Sequence, residues 1–114
     1  MKNNEIDIHE VIVKNYVESI RPEELEIRKE LDFGYSYDGQ NFEIFEIRPQ
    51  YDKPEEILHT PCAKITFVKS KRIWKIYWMR GNLKWDLYEE FPSQVTLENV
   101  LQVVNEDKHG CFYG

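Results

Sequence analysis

The apolar positions near the N-terminus follow a helical period. They recur every three or four residues along one side of a helix, at Val13, Tyr16, Val17 and Ile20. Asp7 has the side chain of an N-cap, and Glu10 follows it three residues later, as in a capping box. Pro22 disfavours helical backbone at the residue before it. We therefore predict an amphipathic helix over residues 8–20.

The period changes from helical to alternating after this helix. Residues 25–35 alternate between apolar and charged side chains, which predicts a long strand with one apolar face. Gly34 lies inside this pattern and is a candidate for a β-bulge. Asp38-Gly39 is a strong signal for a tight turn into an antiparallel partner strand.

Four more alternating segments follow, and turn residues or prolines separate them. They predict strands over residues 41–48, 62–69, 72–79 and 83–90. The connection over residues 50–60 contains a proline and is interpreted as including a short helical turn. Thr96 is a candidate N-cap for a second amphipathic helix over residues 97–106.

The element order is helix, five strands and helix, within a single domain covering residues 1–114. Short turns between consecutive strands require antiparallel neighbours. The order predicts an α+β fold with a meander sheet and both helices on one sheet face. A small, partly closed barrel is the alternative. Phe112 and Tyr113 are expected to dock on the body, because ring burial offsets the entropy of ordering a tail.

All three tryptophans lie in the fourth and fifth predicted strands. Trp74 and Trp78 share one strand face, and alternation places Trp85 with Leu83 and Leu87. No charged residue interrupts these positions within either strand. We therefore predict that all three tryptophans are buried in the core.

The alternate positions of the same strands carry basic and aromatic side chains. Together with the end of the second strand they form a candidate binding face: Arg48, Lys64, Lys75, Tyr77, Lys84 and Tyr88. Basic residues interleaved with aromatic residues are typical of surfaces that hold a single nucleic-acid strand. A solvated face whose tyrosines pair across strands has the same pattern.

The charge distribution favours a local interaction face over general binding to polyanions. The net charge of −6 opposes nonspecific binding to nucleic acid or acidic membranes. All 21 acidic residues, however, lie outside the stretch from Ile57 to Trp85. Such asymmetry marks either an interaction face or basic strands that pair with acidic neighbours within the fold.

The same sequence favours a cytoplasmic protein. No apolar run is long enough to span a membrane, and the N-terminal residues are too polar for a secretory signal. Cys62 and Cys111 are the only cysteines, and we expect both thiols to be reduced.

Two other kinds of site are compatible with parts of the sequence. Thiol and imidazole ligands for zinc are available at His59, Cys62, His109 and Cys111. The one-residue spacing of the second pair is poor for chelation, so we expect the protein to fold without zinc. Asp32 or Asp38, with Glu46 and Arg48, resembles the acidic pattern of metal-dependent nucleases, although arginine cannot act as a base.

Most of the chain, roughly residues 20–114, resembles a family of small bacterial proteins catalogued only as a domain of unknown function, DUF3024. The resemblance is carried by the motifs FEIRP, PCAKITF, WKIYWMRGNLKWDLYEE and the ending FYG. The matching positions are Glu46, Arg48, Pro49, Pro61, Ala63, Lys64, Trp74, Tyr77, Trp78, Trp85, Tyr88 and an acid near Asp107. The family ends in Phe-Trp-Gly, where this chain has Phe112-Tyr113-Gly114. The resemblance implies a bacterial origin and a shape, and it implies no activity.

Taken together, these patterns favour a non-enzymatic binding module without a cofactor, whose partner is a protein or a single-stranded nucleic acid. A metal-dependent nuclease or hydrolase built around Glu46 and Arg48 is the alternative. A purely structural partner subunit is a third possibility.

Overall fold

The computed structural model describes residues 7–114. Over these residues the chain forms three helices and six strands. In chain order they are α1 (Ile8–Ile20), α2 (Leu25–Arg28), β1 (Asp32–Tyr37), β2 (Asn41–Pro49), β3 (Ile57–Val68), β4 (Ile73–Met79), β5 (Trp85–Leu87), β6 (Ser93–Gln94) and α3 (Leu97–Glu106).

The sheet is an antiparallel meander with the order β1-β2-β3-β4-β5, and β6 pairs with β4. Among the described strands, β1 pairs only with β2, so the sheet is open and is not a barrel. The apolar sides of α1 and α3 join the same core cluster on one face of the sheet. The predicted α+β fold is confirmed.

The core lies between this sheet face and the two long helices. Alternate residues of β2, β3 and β4 point into it because side chains alternate across a strand. The fully buried members include Phe42, Ile44, Ile65 and Ile76 from the sheet, and Val13, Val100 and Val104 from the helices. Trp74 is also buried, with 3% of its surface exposed, and its ring packs against Phe42 and Phe67.

Helix α1 begins and ends, and α3 begins, where the local signals in the sequence predict. The Asp7 carboxylate accepts hydrogen bonds from the backbone N–H groups of His9 and Glu10. Glu10 does not return the bond as a capping box requires; it accepts a hydrogen bond from the Tyr35 hydroxyl at 2.8 Å. The Thr96 side chain caps α3, as expected.

The predicted strand over residues 25–35 is wrong at its start. Residues 25–28 form one helical turn, in which the Glu24 carbonyl accepts from the N–H groups of Ile27 and Arg28. Leu25 and Ile27 are exposed, since no core lies beneath them. Residues 25–28 have the alternating pattern of a strand but no partner strand, because β2 pairs with β1 only as far as Ile47.

The third strand begins earlier than predicted, and the bulge lies elsewhere. Residues 57–60 were expected in a connection, but they pair with the end of β2. Gly34 is in regular register, so the bulge predicted there is wrong. The irregularity lies where Ile44 pairs with Ala63 and Phe45 with Pro61, which leaves Cys62 as the extra residue.

The fifth strand is shorter than predicted and begins after a strained turn. Arg80 and Lys84 close this turn with a backbone hydrogen bond of 3.0 Å, and Leu83 adopts a φ of +64°. A left-handed residue breaks the alternation of side chains. Leu83 is therefore 80% exposed, and the prediction that it belongs to the core is wrong.

Candidate binding face

One face of the sheet carries neither α1 nor α3. We call it the helix-free face, and it is formed by the outward positions of β2 to β5. Its half-buried side chains include Glu43, Phe45, Ile47, Lys64, Thr66, Lys75, Tyr77, Met79, Trp85 and Leu87. Because these residues pair directly across neighbouring strands, they form one continuous surface.

Lysine and tyrosine pair at the centre of this face. Lys64 on β3 and Tyr77 on β4 are direct cross-strand partners. The Lys64 ammonium nitrogen lies 5.9 Å from the centroid of the Tyr77 ring, which is the range of a cation–π contact. The register therefore presents a positive charge and an aromatic ring side by side.

A polar pair lies next to this contact along the same strands. Lys75 is the cross-strand partner of Thr66. The Thr66 hydroxyl donates a hydrogen bond to the Asn41 side-chain oxygen at 2.6 Å, which orients the hydroxyl away from Lys75. No ion pair within 4.0 Å holds Lys64 or Lys75 among the described residues.

Trp85 belongs to the helix-free face, which corrects the prediction that it is buried with the other tryptophans. It pairs with Met79, while Asp86 pairs with Trp78. Direct partners share a face, so Trp85 lies on the side of Tyr77 and opposite Trp74. The left-handed Leu83 in the turn shifts the pairing of β5 with β4 by one residue from the pairing expected. No signal in the sequence predicts a positive φ at Leu83.

Tyr88 was predicted on the binding face, and this is wrong. It is 3% exposed on the helix side, where its ring lies 4.8 Å from that of Phe112. Burial raises the pKa of its hydroxyl. Trp85 and Tyr88 are three residues apart, so they project from opposite faces of the strand. The same one-residue shift therefore explains why Trp85 was wrongly predicted in the core and Tyr88 wrongly predicted on the binding face.

Two other candidates lie away from the centre of the face. Arg48 projects on the other side of the sheet, at the end of β2, where its Nε donates to Glu46 at 3.0 Å. Lys84 lies in the exposed turn before β5. The structure thus brings together Lys64, Lys75 and Tyr77 and separates them from Arg48, Lys84 and Tyr88.

A second aromatic pair extends the helix-free face toward β1. The rings of Phe45 and His59 stack with centroids 4.7 Å apart and planes inclined by 10°. Gly34 makes room for this arrangement, because a Cβ there would lie 2.9 Å from Cε1 of Phe45. The glycine is needed for this close approach, not for a bulge.

The candidate zinc ligands are not assembled. His59 stacks on Phe45, while Nε2 of His109 lies 3.2 Å from a Glu90 carboxylate oxygen. Cys62 and Cys111 line one cleft, and His109 lines a different cleft beside Cys111. Within residues 7–114, no three His, Cys, Asp or Glu side chains are placed to hold a metal ion.

The carboxylates of the candidate nuclease site are separated and engaged by other groups. Asp32 accepts two hydrogen bonds from the Arg21 guanidinium, at 2.9 and 3.0 Å. Asp38 accepts from the backbone and side chain of Asn41 in the β1–β2 turn. Glu46 pairs with Arg48. None of these contacts favours a metal-dependent hydrolytic centre.

The comparison with known families gives one match. A family model described as domain of unknown function DUF3024 matches residues 1–114. The chain belongs to the DUF3024 family. No curated protein and no solved structure matches it. The family description names no function, so a function must be argued from the residues of this DUF3024 protein.

The motif residues of this DUF3024 protein have different structural roles. Trp74 fills the core, and the half-buried Trp78 lies beneath Arg80, whose guanidinium carbon is 5.8 Å from the ring centroid. Asp107 holds the tail, since its two carboxylate oxygens accept from the N–H groups of Phe112 and Tyr113, each at 2.9 Å. No helix among the described residues is long and apolar enough to cross a membrane.

Proposed function

We propose that this protein is a non-enzymatic, cytoplasmic module that binds single-stranded nucleic acid on its helix-free face. The observation that carries the proposal is the placement of Lys64 and Lys75 beside Tyr77 on adjacent strands. Two free cysteines support a reducing compartment.

Aromatic rings on an open sheet supply the sequence-independent part of such binding. Tyr77, Trp85 and Phe45 lie on the helix-free face, and every nucleobase has a π-face that stacks on an aromatic ring. An open antiparallel sheet with helices behind it leaves these rings accessible to unpaired bases, as in other sheet-based RNA-binding domains. Duplex bases are already stacked, so we expect a preference for single strands.

The charges of the face suit a phosphate backbone. Lys64 and Lys75 lie on the face, and Lys69 and Lys71 are exposed at the β3–β4 turn. Glu43 is the acidic residue among the helix-free positions of β2 to β5, and it pairs across strands with Lys64. The net charge of −6 is thus carried mostly by other surfaces, which limits contact with a polyanion to this one face.

Fluorescence anisotropy with labelled pyrimidine oligonucleotides, as DNA and as RNA, tests the proposal over a range of salt concentrations. We expect affinity for single strands to fall as salt rises. Tyr77→Ala should remove a stacking platform worth about 1–3 kcal/mol. Lys64→Ala with Lys75→Ala should reduce the salt slope by about 0.7 for each lost phosphate contact.

Matched controls separate the face from general electrostatics. Lys14→Ala with Lys29→Ala removes two exposed lysines outside the sheet and makes the same change in net charge. We expect this control to bind as the wild type does. Absence of salt-dependent binding, or equal loss in both double variants, overturns the proposal. Retention of a protein by the wild type but not by Tyr77→Ala, after nuclease treatment, would assign the face to a protein partner.

A further inference from the structure

Three polar side chains form a row across β2, β3 and β4 on the helix-free face. Asn41 pairs with Thr66, and Thr66 pairs in turn with Lys75 on the next strand. All three residues are half-buried. The row lies beside Tyr77, which follows Lys75 by two residues and therefore projects from the same face of β4. Polar groups are thus placed next to the ring that is proposed to stack a base.

The turn between β1 and β2 fixes the side-chain amide of Asn41. The Asp38 carboxylate accepts from the backbone N–H of Asn41 at 2.6 Å and from its side-chain Nδ2 at 3.0 Å. These hydrogen bonds, the one from the Asn41 side chain above all, lower the pKa of Asp38 to about 2. The carboxylate is therefore ionised at neutral pH and can only accept. The amide nitrogen of Asn41 must face Asp38, which turns the amide oxygen toward Thr66.

This orientation commits the hydroxyl proton of Thr66. The Thr66 hydroxyl lies 2.6 Å from Oδ1 of Asn41, and because that oxygen carries no hydrogen, Thr66 is the donor. A hydroxyl has one proton and two lone pairs, so Thr66 can offer a ligand only an acceptor. The ammonium group of Lys75, its cross-strand partner, can only donate. An acceptor beside a donor complements a ligand group that both donates and accepts.

We propose that the helix-free face selects RNA over DNA by accepting a hydrogen bond from a ribose 2′-hydroxyl at Thr66. The inference rests on the proposed function, because it names the kind of single strand that the face binds. The 2′-hydroxyl both donates and accepts, and it is the group that lets a protein distinguish RNA from DNA. Deoxyribose carries a hydrogen at this position, so its sugar offers no donor to the Thr66 oxygen.

The row places Thr66 where a bound strand has its sugar. In a nucleotide the ribose joins the base to the phosphate. With a base stacked on Tyr77 and a phosphate at Lys75, the ribose lies between the two. Thr66 is the direct partner of Lys75 and a diagonal neighbour of Tyr77, and diagonal neighbours in a sheet are about 7–8 Å apart. The Thr66 hydroxyl therefore lies beside the sugar while both neighbouring contacts are made.

Fluorescence anisotropy with three oligouridines of equal length tests the inference. One strand carries ribose, one 2′-deoxyribose and one 2′-fluoro-ribose, so the base and the phosphate stay the same and only the first has a 2′ donor. The 2′-fluoro strand keeps the sugar pucker of RNA, which separates a hydrogen bond from sugar shape. We expect the wild type to bind the ribose strand about three- to tenfold more tightly than either of the others, the net effect of one hydrogen bond.

Substitutions at Thr66 assign the preference to its hydroxyl. Thr66→Val removes the hydroxyl and keeps the branched shape, so it should bind all three strands as the wild type binds the deoxyribose strand. Thr66→Ser keeps the hydroxyl and should keep the preference for ribose. Thr60→Val is the matched control, because Thr60 is on the same strand but on the opposite sheet face, where it pairs with Glu46. We expect this control to retain the wild-type preference.

The outcomes separate this inference from the proposed function. Equal affinity of the wild type for the ribose and 2′-fluoro strands overturns the selection of RNA through its 2′-hydroxyl and leaves single-strand binding in place. A preference that survives in Thr66→Val, or that is lost equally in Thr60→Val, overturns it in the same way. A wild type that binds none of the strands overturns both proposals. Circular dichroism establishes that each variant is folded, and the comparison of strands on the wild type needs no variant.

Discussion

The hydroxyl oxygens of Tyr16 and Tyr113 lie 2.7 Å apart and join α1 to the C-terminal tail. Burial raises the pKa of both hydroxyls. Asp107 prepares this contact, since it ends α3 with a left-handed φ of +44° and accepts from the N–H groups of the tail. The tail is therefore part of the folded body, as expected from its aromatic residues.

Removal of the tail should destabilise the protein. Phe112 is 5% exposed and packs on Tyr88, so Phe112→Ala is expected to cost about 3–5 kcal/mol. Deletion of residues 111–114 should cost at least as much. Urea unfolding measures both effects, and Tyr113→Phe is the milder control, because it removes one hydroxyl and keeps the ring. An unchanged urea midpoint after the deletion would contradict a docked tail.

Substitution of two tryptophans should have unequal effects. Trp74→Ala opens a cavity beneath α1 and is expected to cost about 3–5 kcal/mol. Trp85→Ala removes a half-buried ring from the helix-free face and should cost about 1 kcal/mol, near the mean for single substitutions. Urea unfolding of both variants is the measurement. Equal losses would show that Trp85 is a core residue after all.

Acid should remove the stabilisation that Arg21 and Asp32 provide. The hydrogen bonds from the Arg21 guanidinium hold the pKa of Asp32 below the ordinary value of an aspartate side chain. A depressed carboxyl pKa stabilises the folded state above the unfolded-state value, and this contribution is lost as pH falls through the folded-state pKa. At pH 7, Asp32→Asn is expected to cost about 1.5–3 kcal/mol.

Urea unfolding at pH 7 and at pH 3 distinguishes this pair from other carboxylates. The wild type should lose more stability than Asp32→Asn between these values. The variant should still lose some, because hydrogen bonds also lower the pKa of Asp7 and bring that of Asp38 to about 2. Parallel losses in the two proteins would show that Asp32 is not stabilised by Arg21.

Cys62 should react slowly with thiol reagents. Burial raises its pKa to about 12, and the nearby Glu46 carboxylate acts in the same direction. The thiolate is the reactive form, so at pH 8 we expect slower alkylation of Cys62 than of the half-buried Cys111. Mass spectrometry of Cys62→Ser and Cys111→Ser resolves the two rates. Reaction of native Cys62 at the rate of the urea-unfolded protein would exclude this burial.

Elements with local signals could be predicted from the order of the residues alone. Asp7, Pro22 and Thr96 set the ends of α1 and the start of α3 through contacts within a few residues. Asp38-Gly39 determined the first hairpin, and Gly39 adopts a φ of +97° as such turns require. The meander and its α+β class followed, because short turns permit only antiparallel neighbours.

The pairing of strand segments and the face that each residue occupies depend instead on contacts between residues far apart in the chain. Residues 25–28 alternate as a strand does, yet no strand pairs with them, while residues 57–60 pair with β2 beyond the main sheet. One left-handed residue, Leu83, exchanged the positions expected for Trp85 and Tyr88. Because the side-chain period of a strand is two, a single irregular residue moves every later side chain to the other face.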